Sequence, residues 1–149
     1  VSSLEEWGGR AGFPENGSGY LILGFGDSLA GMPTYQSSPR IGLYSVDLSE
    51  FSTFYPVPKT VEFVGYLADG SIVTQSFTTD GVIDGTGPLP DFETFYFDSQ
   101  FSNIVRFEVS DDTYAMDNLR YFQAVPEPTS CALVLLGSGL LWFWRRREH

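Results

Sequence analysis

The stretch TVEFVGYLADGSIVTQSFT, residues 60–78, decides the fold. Val61, Phe63 and Leu67 fall on one side of an extended chain and Glu62 on the other. That two-residue period is the mark of a strand with one buried and one wet face. The second half, SIVTQSFT, has the composition of a strand of similar length. Between the halves stands Asp69-Gly70, the strongest short-range hairpin signal, which predicts a type I′ turn.

Reading outward, the same signals recur. Strands are predicted over Tyr20–Phe25, Ile41–Leu48, Thr60–Leu67, Ser71–Thr78, Phe92–Asp98, Asn103–Val109 and Tyr114–Phe122. In NIVRFEV, Val105, Phe107 and Val109 alternate with Arg106 and Glu108. Sixteen glycines and nine prolines punctuate the chain, and 13 Phe and 8 Tyr favour strands over helices. Ser45–Ser52 could hold a short turn, and no run before residue 125 keeps a helical period over twelve residues. Seven short strands at this spacing predict an all-β body, a β-sandwich of jelly-roll-like form with the two chain ends meeting in one sheet.

The charge is uneven. Residues 1–124 carry 17 acidic and five basic side chains, a balance of −12, while the last five residues carry three arginines. An acidic body argues against nucleic acid, because phosphate contacts need clustered Lys and Arg. The one cysteine, Cys131, lies in an apolar run, so no disulfide framework or cysteine metal site is available to the body. The one histidine is His149, which rules out a Ser-His-Asp triad or a histidine metal site there. GFGDSLAG, residues 24–31, has glycines but no following helix signal, so it is no dinucleotide fingerprint. An enzyme is not expected. A pair of carboxylates for glycoside hydrolysis is the one catalytic arrangement left open, in a body small for a deep cleft.

The tail is a different material. Thr129 to Trp144 is free of charge. As a helix it would span roughly 24 Å at 1.5 Å per residue, against a hydrocarbon layer of ~30 Å. It is read as a single short transmembrane helix, accommodated by local thinning or with its flanks at the interface. Trp142 and Trp144 suit the headgroup zone, and Arg145, Arg146 and Arg147 are expected to stay on the cytoplasmic side. A buried C-terminal helix of the body is the competing reading, disfavoured because a core helix is rarely apolar all round. Pro126 and Pro128 hold Val125-Pro126-Glu127-Pro128 extended and unpaired, a shape that a processing enzyme can thread through its cleft. The chain opens at Val1 without a leader, which fits either a removed signal peptide or a fragment.

These three parts in order, Val125-Pro126-Glu127-Pro128, an apolar stretch with Gly137 and Gly139, and an arginine cluster, resemble the PEP-CTERM protein-sorting signal. The resemblance covers about the last 25 residues. It implies export across the inner membrane of an exopolysaccharide-making Gram-negative bacterium and recognition of Pro126-Glu127-Pro128 by an exosortase. Cleavage near that motif would then release the body to the cell surface or extracellular matrix. The chain is accordingly divided into an ectodomain, residues 1–124, and a sorting signal, residues 125–149, with motif 125–128, helix 129–144 and basic end 145–149. The expected linker is Gln123 to Glu127. YSVDLSEF, VEFVGYLADGSIVTQSF, DFETFYF and YAMDNLRYF also resemble β-sandwich ectodomains found ahead of such signals, many of them similar in shape to carbohydrate-binding modules.

Candidate sites in the body are few. In YAMDNLRYF, Asp117 shares a strand face with Ala115 and Leu119, a face expected to point inward. A buried carboxylate needs partners, and a structural Ca²⁺ is one, with Glu6 or Glu5 supplying a second carboxylate if the first and last strands pair. Asp117 also resembles the acid that jelly-roll carbohydrate-binding modules often place in their last strand for such an ion. Backbone donors or an arginine would serve Asp117 equally. TTDGVIDGTGPLPD spaces Asp80, Asp84 and Asp91 in a glycine-rich loop that lacks the EF-hand pattern, and Asp-Gly steps also make plain turns. Asn16-Gly17-Ser18 reads as a turn before it reads as a glycosylation acceptor. Trp7, Tyr35, Tyr44, Phe54, Tyr55, Tyr66, Phe95, Tyr96, Phe97 and Tyr114 either fill the core or offer rings on which a sugar could stack. The expected role is therefore non-catalytic, either glycan binding or structural within an extracellular polymer or biofilm. A self-associating matrix subunit without specific ligand and, behind it, a small glycoside hydrolase are the alternatives.

Overall fold

A computed structural model describes residues 6–7, 10–23, 34–110 and 113–124. They form an all-β body of eight antiparallel strands: β1 (Glu6–Trp7), β2 (Tyr20–Leu23), β3 (Thr34–Glu50), β4 (Thr60–Leu67), β5 (Ile72–Thr78), β6 (Glu93–Tyr96), β7 (Ile104–Val109) and β8 (Tyr114–Gln123). Their order is β1-β2-β8-β3-β7-β4-β5, with β6 also paired to β3.

The 17-residue β3 is the spine. At Ile41 it pairs with Ile104 of β7 on one side and Gln123 of β8 on the other. Before that point β3 runs along β7, from Thr34↔Glu108 to Gln36↔Arg106. Beyond it, β6 takes the place of β7, from Ser45↔Tyr96 to Leu48↔Glu93, while β8 continues along the opposite edge. The ladder to β7 shifts register between Gln36 and Ile41, the interval that contains Pro39. A proline cannot donate to a ladder and is tolerated where pairing is interrupted. The same proline makes the first seven residues of β3 hard to read as strand.

This change of partner folds the sheet over, in the manner of a sandwich. Phe77 of β5 stacks on Phe95 of β6 at 5.1 Å between ring centroids, although those strands share no ladder. Gln75 bridges the same seam, donating from Nε2 to the Tyr96 carbonyl and accepting from the Asp98 N–H. Between the two halves lie Val46, Leu48, Val61, Phe63, Phe101, Ile104 and Val109, all fully buried. Each large side chain sealed here contributes about 1.5–3 kcal/mol. Phe63, Phe77 and Phe101 all pack against Phe97.

Several expectations change. The hairpin at Asp69-Gly70 forms, but its turn is not type I′. Leu67 and Ser71 close a three-residue loop in which the Gly70 N–H donates to the Leu67 carbonyl and only Gly70 has positive φ. That is a type I turn closed by a left-handed glycine. Ser45–Glu50 is strand rather than turn. A short 3₁₀ helix, Ser99–Asn103, precedes β7 and buries Phe101. In β7 the core side chains are Ile104, Phe107 and Val109, not Val105, because the ladder to β4 shifts there, from Tyr66↔Arg106 to Leu67↔Ile104. The proposed linker begins later than expected: Gln123 still pairs with Ile41, and the Ala124 N–H donates to the Arg40 carbonyl. The first and last strands lie in one sheet but do not pair, since β2 runs between β1 and β8.

Candidate functional site

The outer face of the β8–β3–β6 half carries an aromatic strip. Tyr44, Tyr96 and Phe122 are 54%, 60% and 46% exposed. Tyr44 and Tyr96 meet edge to face at 5.6 Å. Phe122 pairs with Gly42, two residues before Tyr44, and its ring lies over the glycine. Tyr44 and Tyr96 thus stand against each other in water, with Phe122 exposed over Gly42 on the neighbouring strand.

Local irregularity puts Tyr44 there. The β3–β8 ladder shifts register between Leu43 and Ser45 and again between Ser45 and Asp47. The first shift lets Leu43 and Val46 both enter the core while Tyr44 turns out. On the partner strand Asn118 adopts φ +46°, the left-handed conformation of a bulge residue.

Beside the rings lies a polar network. Asp47 accepts from Thr94 Oγ1 at 2.6 Å and from Asn118 Nδ2 at 2.8 Å. Its register partner Asp117 accepts from Asn16 Nδ2 at 2.6 Å, Ser18 Oγ at 2.9 Å and the Asn118 N–H at 2.7 Å. Thr94 lies two residues from Tyr96 on β6, which places the network next to the strip. A groove of about 430 Å³ lined by Gly19, Leu21, Asp117, Asn118 and Leu119 adjoins it.

Asp117 therefore does not face inward as expected. Tyr114 and Met116 enter the main core; Ala115 and Asp117 take the opposite face, which is sealed at Ala115 but only half-buried at Asp117, and the bulge at Asn118 returns Leu119 to the core side. Side-chain amide, hydroxyl and backbone donors satisfy Asp117. Of its suggested companion Glu6 only the backbone is described, one strand removed from β8. The loop acids divide. Asp91 is buried and accepts from the N–H groups of Glu15 and Asp84, while Asp84 accepts from the Leu89 N–H. Asp80 lies instead with Glu50 and Glu93. Asn16-Gly17-Ser18 is a turn in which Asn16 Oδ1 accepts from the Ser18 N–H.

The other aromatic candidates are mostly occupied. Tyr114 is buried, Tyr35 stacks on Phe107, and Phe95 and Phe97 pack in the core. Tyr66 lies under the Arg106 guanidinium, 3.6 Å from its ring centroid, and donates to Glu108, which pushes its phenol pKa up. Phe54 and Tyr55 are exposed in the loop after β3. The Trp7 side chain, the motif Val125–Pro128, the apolar run 129–144, Cys131 and the cluster Arg145–Arg147 lie outside the described residues. Among the described residues no helix is long and apolar enough to cross a membrane.

Compared with known families, residues 124–147 match the PEP-CTERM protein-sorting motif. The motif indicates an exported protein, anchored in the membrane until an exosortase processes it. No curated protein and no solved structure matches the chain.

Proposed function

We propose that residues 1–124 form the mature cargo of this sorting signal: a non-catalytic, jelly-roll-like module that binds polysaccharide at the cell surface or in the extracellular matrix of a Gram-negative bacterium. The observation that carries the reading is the exposed strip Tyr44–Tyr96–Phe122 beside the Asp47–Thr94–Asn118–Asp117 network. Flat apolar rings take the carbon-bound hydrogens of a sugar, and neighbouring amides, hydroxyls and carboxylates take its hydroxyls. Binding rather than turnover suits a shallow, open face.

The sorting chemistry fits this division of the chain. The sheet ends at Gln123, and one further hydrogen bond, from Ala124 to Arg40, ties down the residue before the motif. An exosortase cutting near Pro126-Glu127-Pro128 would leave every strand of the described residues in the released body. Before cleavage, residues 129–144 would anchor the chain in the inner membrane with Arg145, Arg146 and Arg147 on the cytoplasmic side.

Two measurements test the reading. Mass spectrometry of the protein from cells should show a product ending near Pro128. The released body should be retained on exopolysaccharide, and the double substitution Tyr44→Ala with Tyr96→Ala should abolish retention without lowering the melting temperature. A body that passes unretarded over the host's polysaccharide and over a glycan array removes the binding role.

A further inference from the structure

Glu50 ends β3 with its side chain on the core side, and it is fully buried. Its Oε1 is well served: Thr79 Oγ1 donates to it, and so does the Gly81 N–H at 2.7 Å. Its Oε2 is sealed from solvent and has no hydrogen-bond partner among the described residues. A carboxylate half-satisfied and half-orphaned in a dry place calls for a cation.

Two more carboxylates stand at the same spot. Asp80, between Thr79 and Gly81, is exposed, and Glu93 at the start of β6 is half-buried. The three residues offer oxygens that all lie within 4.8 Å of one another. Oxygens bound to one calcium ion at about 2.4 Å can be at most about 4.8 Å apart, so the spread matches a shared ion. The Asp80 N–H donates to Glu93 Oε1 at 2.8 Å and the Val82 N–H to Asp80 Oδ1 at 2.7 Å, which orients these two carboxylates.

We propose that Glu50, Asp80 and Glu93 form a calcium site that pins the loop after β5 to the ends of β3 and β6. The donor set is all oxygen, which suits a hard cation over zinc or copper. Calcium is favoured over magnesium because three carboxylates held by different segments suit a flexible shell of six to eight oxygens, whereas magnesium keeps most of its water. Exposed Asp80 leaves one side open for water to complete the shell. The site is distinct from the Asp117 face and stands independently of glycan binding.

The test is a thermal melt of the full chain in detergent micelles, with EDTA and then with CaCl₂, alongside terbium luminescence. Calcium is expected to raise the melting temperature by several degrees, with half-saturation between about 0.1 and 1 mM, the range of extracellular calcium modules. Asp80→Asn and Glu93→Gln should fold in EDTA and lose the shift and the terbium signal, while Asp117→Asn should keep both. Glu50→Gln is the more disruptive variant, so the exposed Asp80 carries the decision. Equal melting in EDTA and CaCl₂ without terbium luminescence overturns the proposal. So does a calcium shift that survives in Asp80→Asn and Glu93→Gln.

Discussion

The ring of Phe122 lies so close over Gly42 that a methyl group on the glycine would come within 2.2 Å of the ring's Cζ. Gly42 is therefore the seat of the aromatic strip, and a side chain there would displace the ring. The threatened atoms are the far end of a surface side chain, which can swing into water. Gly42→Ala is expected to cost at most about 1 kcal/mol in urea unfolding. It should nevertheless weaken polysaccharide retention severalfold, because one of three stacking surfaces is lost. Unchanged retention would show that Phe122 lies outside the binding face.

Gly65 presents the opposite case. A methyl group there would meet Val73 Cγ2 at 2.9 Å, Phe101 Cε1 at 3.0 Å and Ile104 Cγ2 at 3.1 Å. All three belong to the packed interior or its margin and have little room to retreat. Gly65→Ala is expected to destabilise the body by about 1–3 kcal/mol through overpacking. A midpoint in urea equal to that of the parent would show that this part of the core is loosely filled.

Tyr20 is buried with its hydroxyl unpaired among the described residues, and its ring meets Phe92 edge-on. Burial, helped by the charges of Glu15 and Asp91 and opposed by Arg10, pushes its pKa from 10.0 up to about 12. The folded state thus holds a proton that the unfolded chain releases from pH 10 upward. The stabilisation tied to that proton is complete below pH 10 and is lost as pH rises toward 12 and through it. Tyr20→Phe removes an unsatisfied polar atom at nearly constant shape, and is expected to be neutral or stabilising by up to about 1 kcal/mol at pH 7. Its advantage over the parent should widen between pH 10 and pH 12. Parallel stability curves for the two proteins over that range would contradict the assignment.

Asp117 joins β8 to the turn at residues 16–18 through Asn16 and Ser18. Removing its carboxylate should free that turn more than it unfolds the sheet. Asp117→Ala is expected to cost about 1 kcal/mol, a charge-assisted pair discounted for partial exposure. It should also raise amide exchange at Gly17 and Ser18 while leaving Val46 and Leu48 protected. Uniform loss of protection would mean that Asp117 supports the whole sheet.

Much of this could be read in advance wherever a local rule was at work. Val61 and Phe63 entered the core because alternation is a property of the strand itself, and Asp69-Gly70 turned the chain because glycine tolerates positive φ. Asp117 and Val105 were misplaced for one shared reason. Each lies beside a register shift, and one extra residue in a ladder moves every later side chain to the opposite face. Such a shift depends on a partner strand far away in the chain. Glu50 gave no warning, since YSVDLSEF reads as an ordinary amphipathic run and its companions Asp80 and Glu93 are distant in sequence.

The linear chain by itself determined that the body is built of strands, that its surface is acidic, and that residues 124–147 carry an export address. These follow from side-chain period, charge and a contiguous motif, all properties of neighbours along the backbone. Only the tertiary structure decided that β3 changes partners at Ile41, that Tyr44 and Tyr96 meet outside the sheet, and that Glu50 meets Asp80 and Glu93. Those outcomes depend on long-range register, in which one bulge reassigns faces and a dense core settles which aromatic rings it can hold.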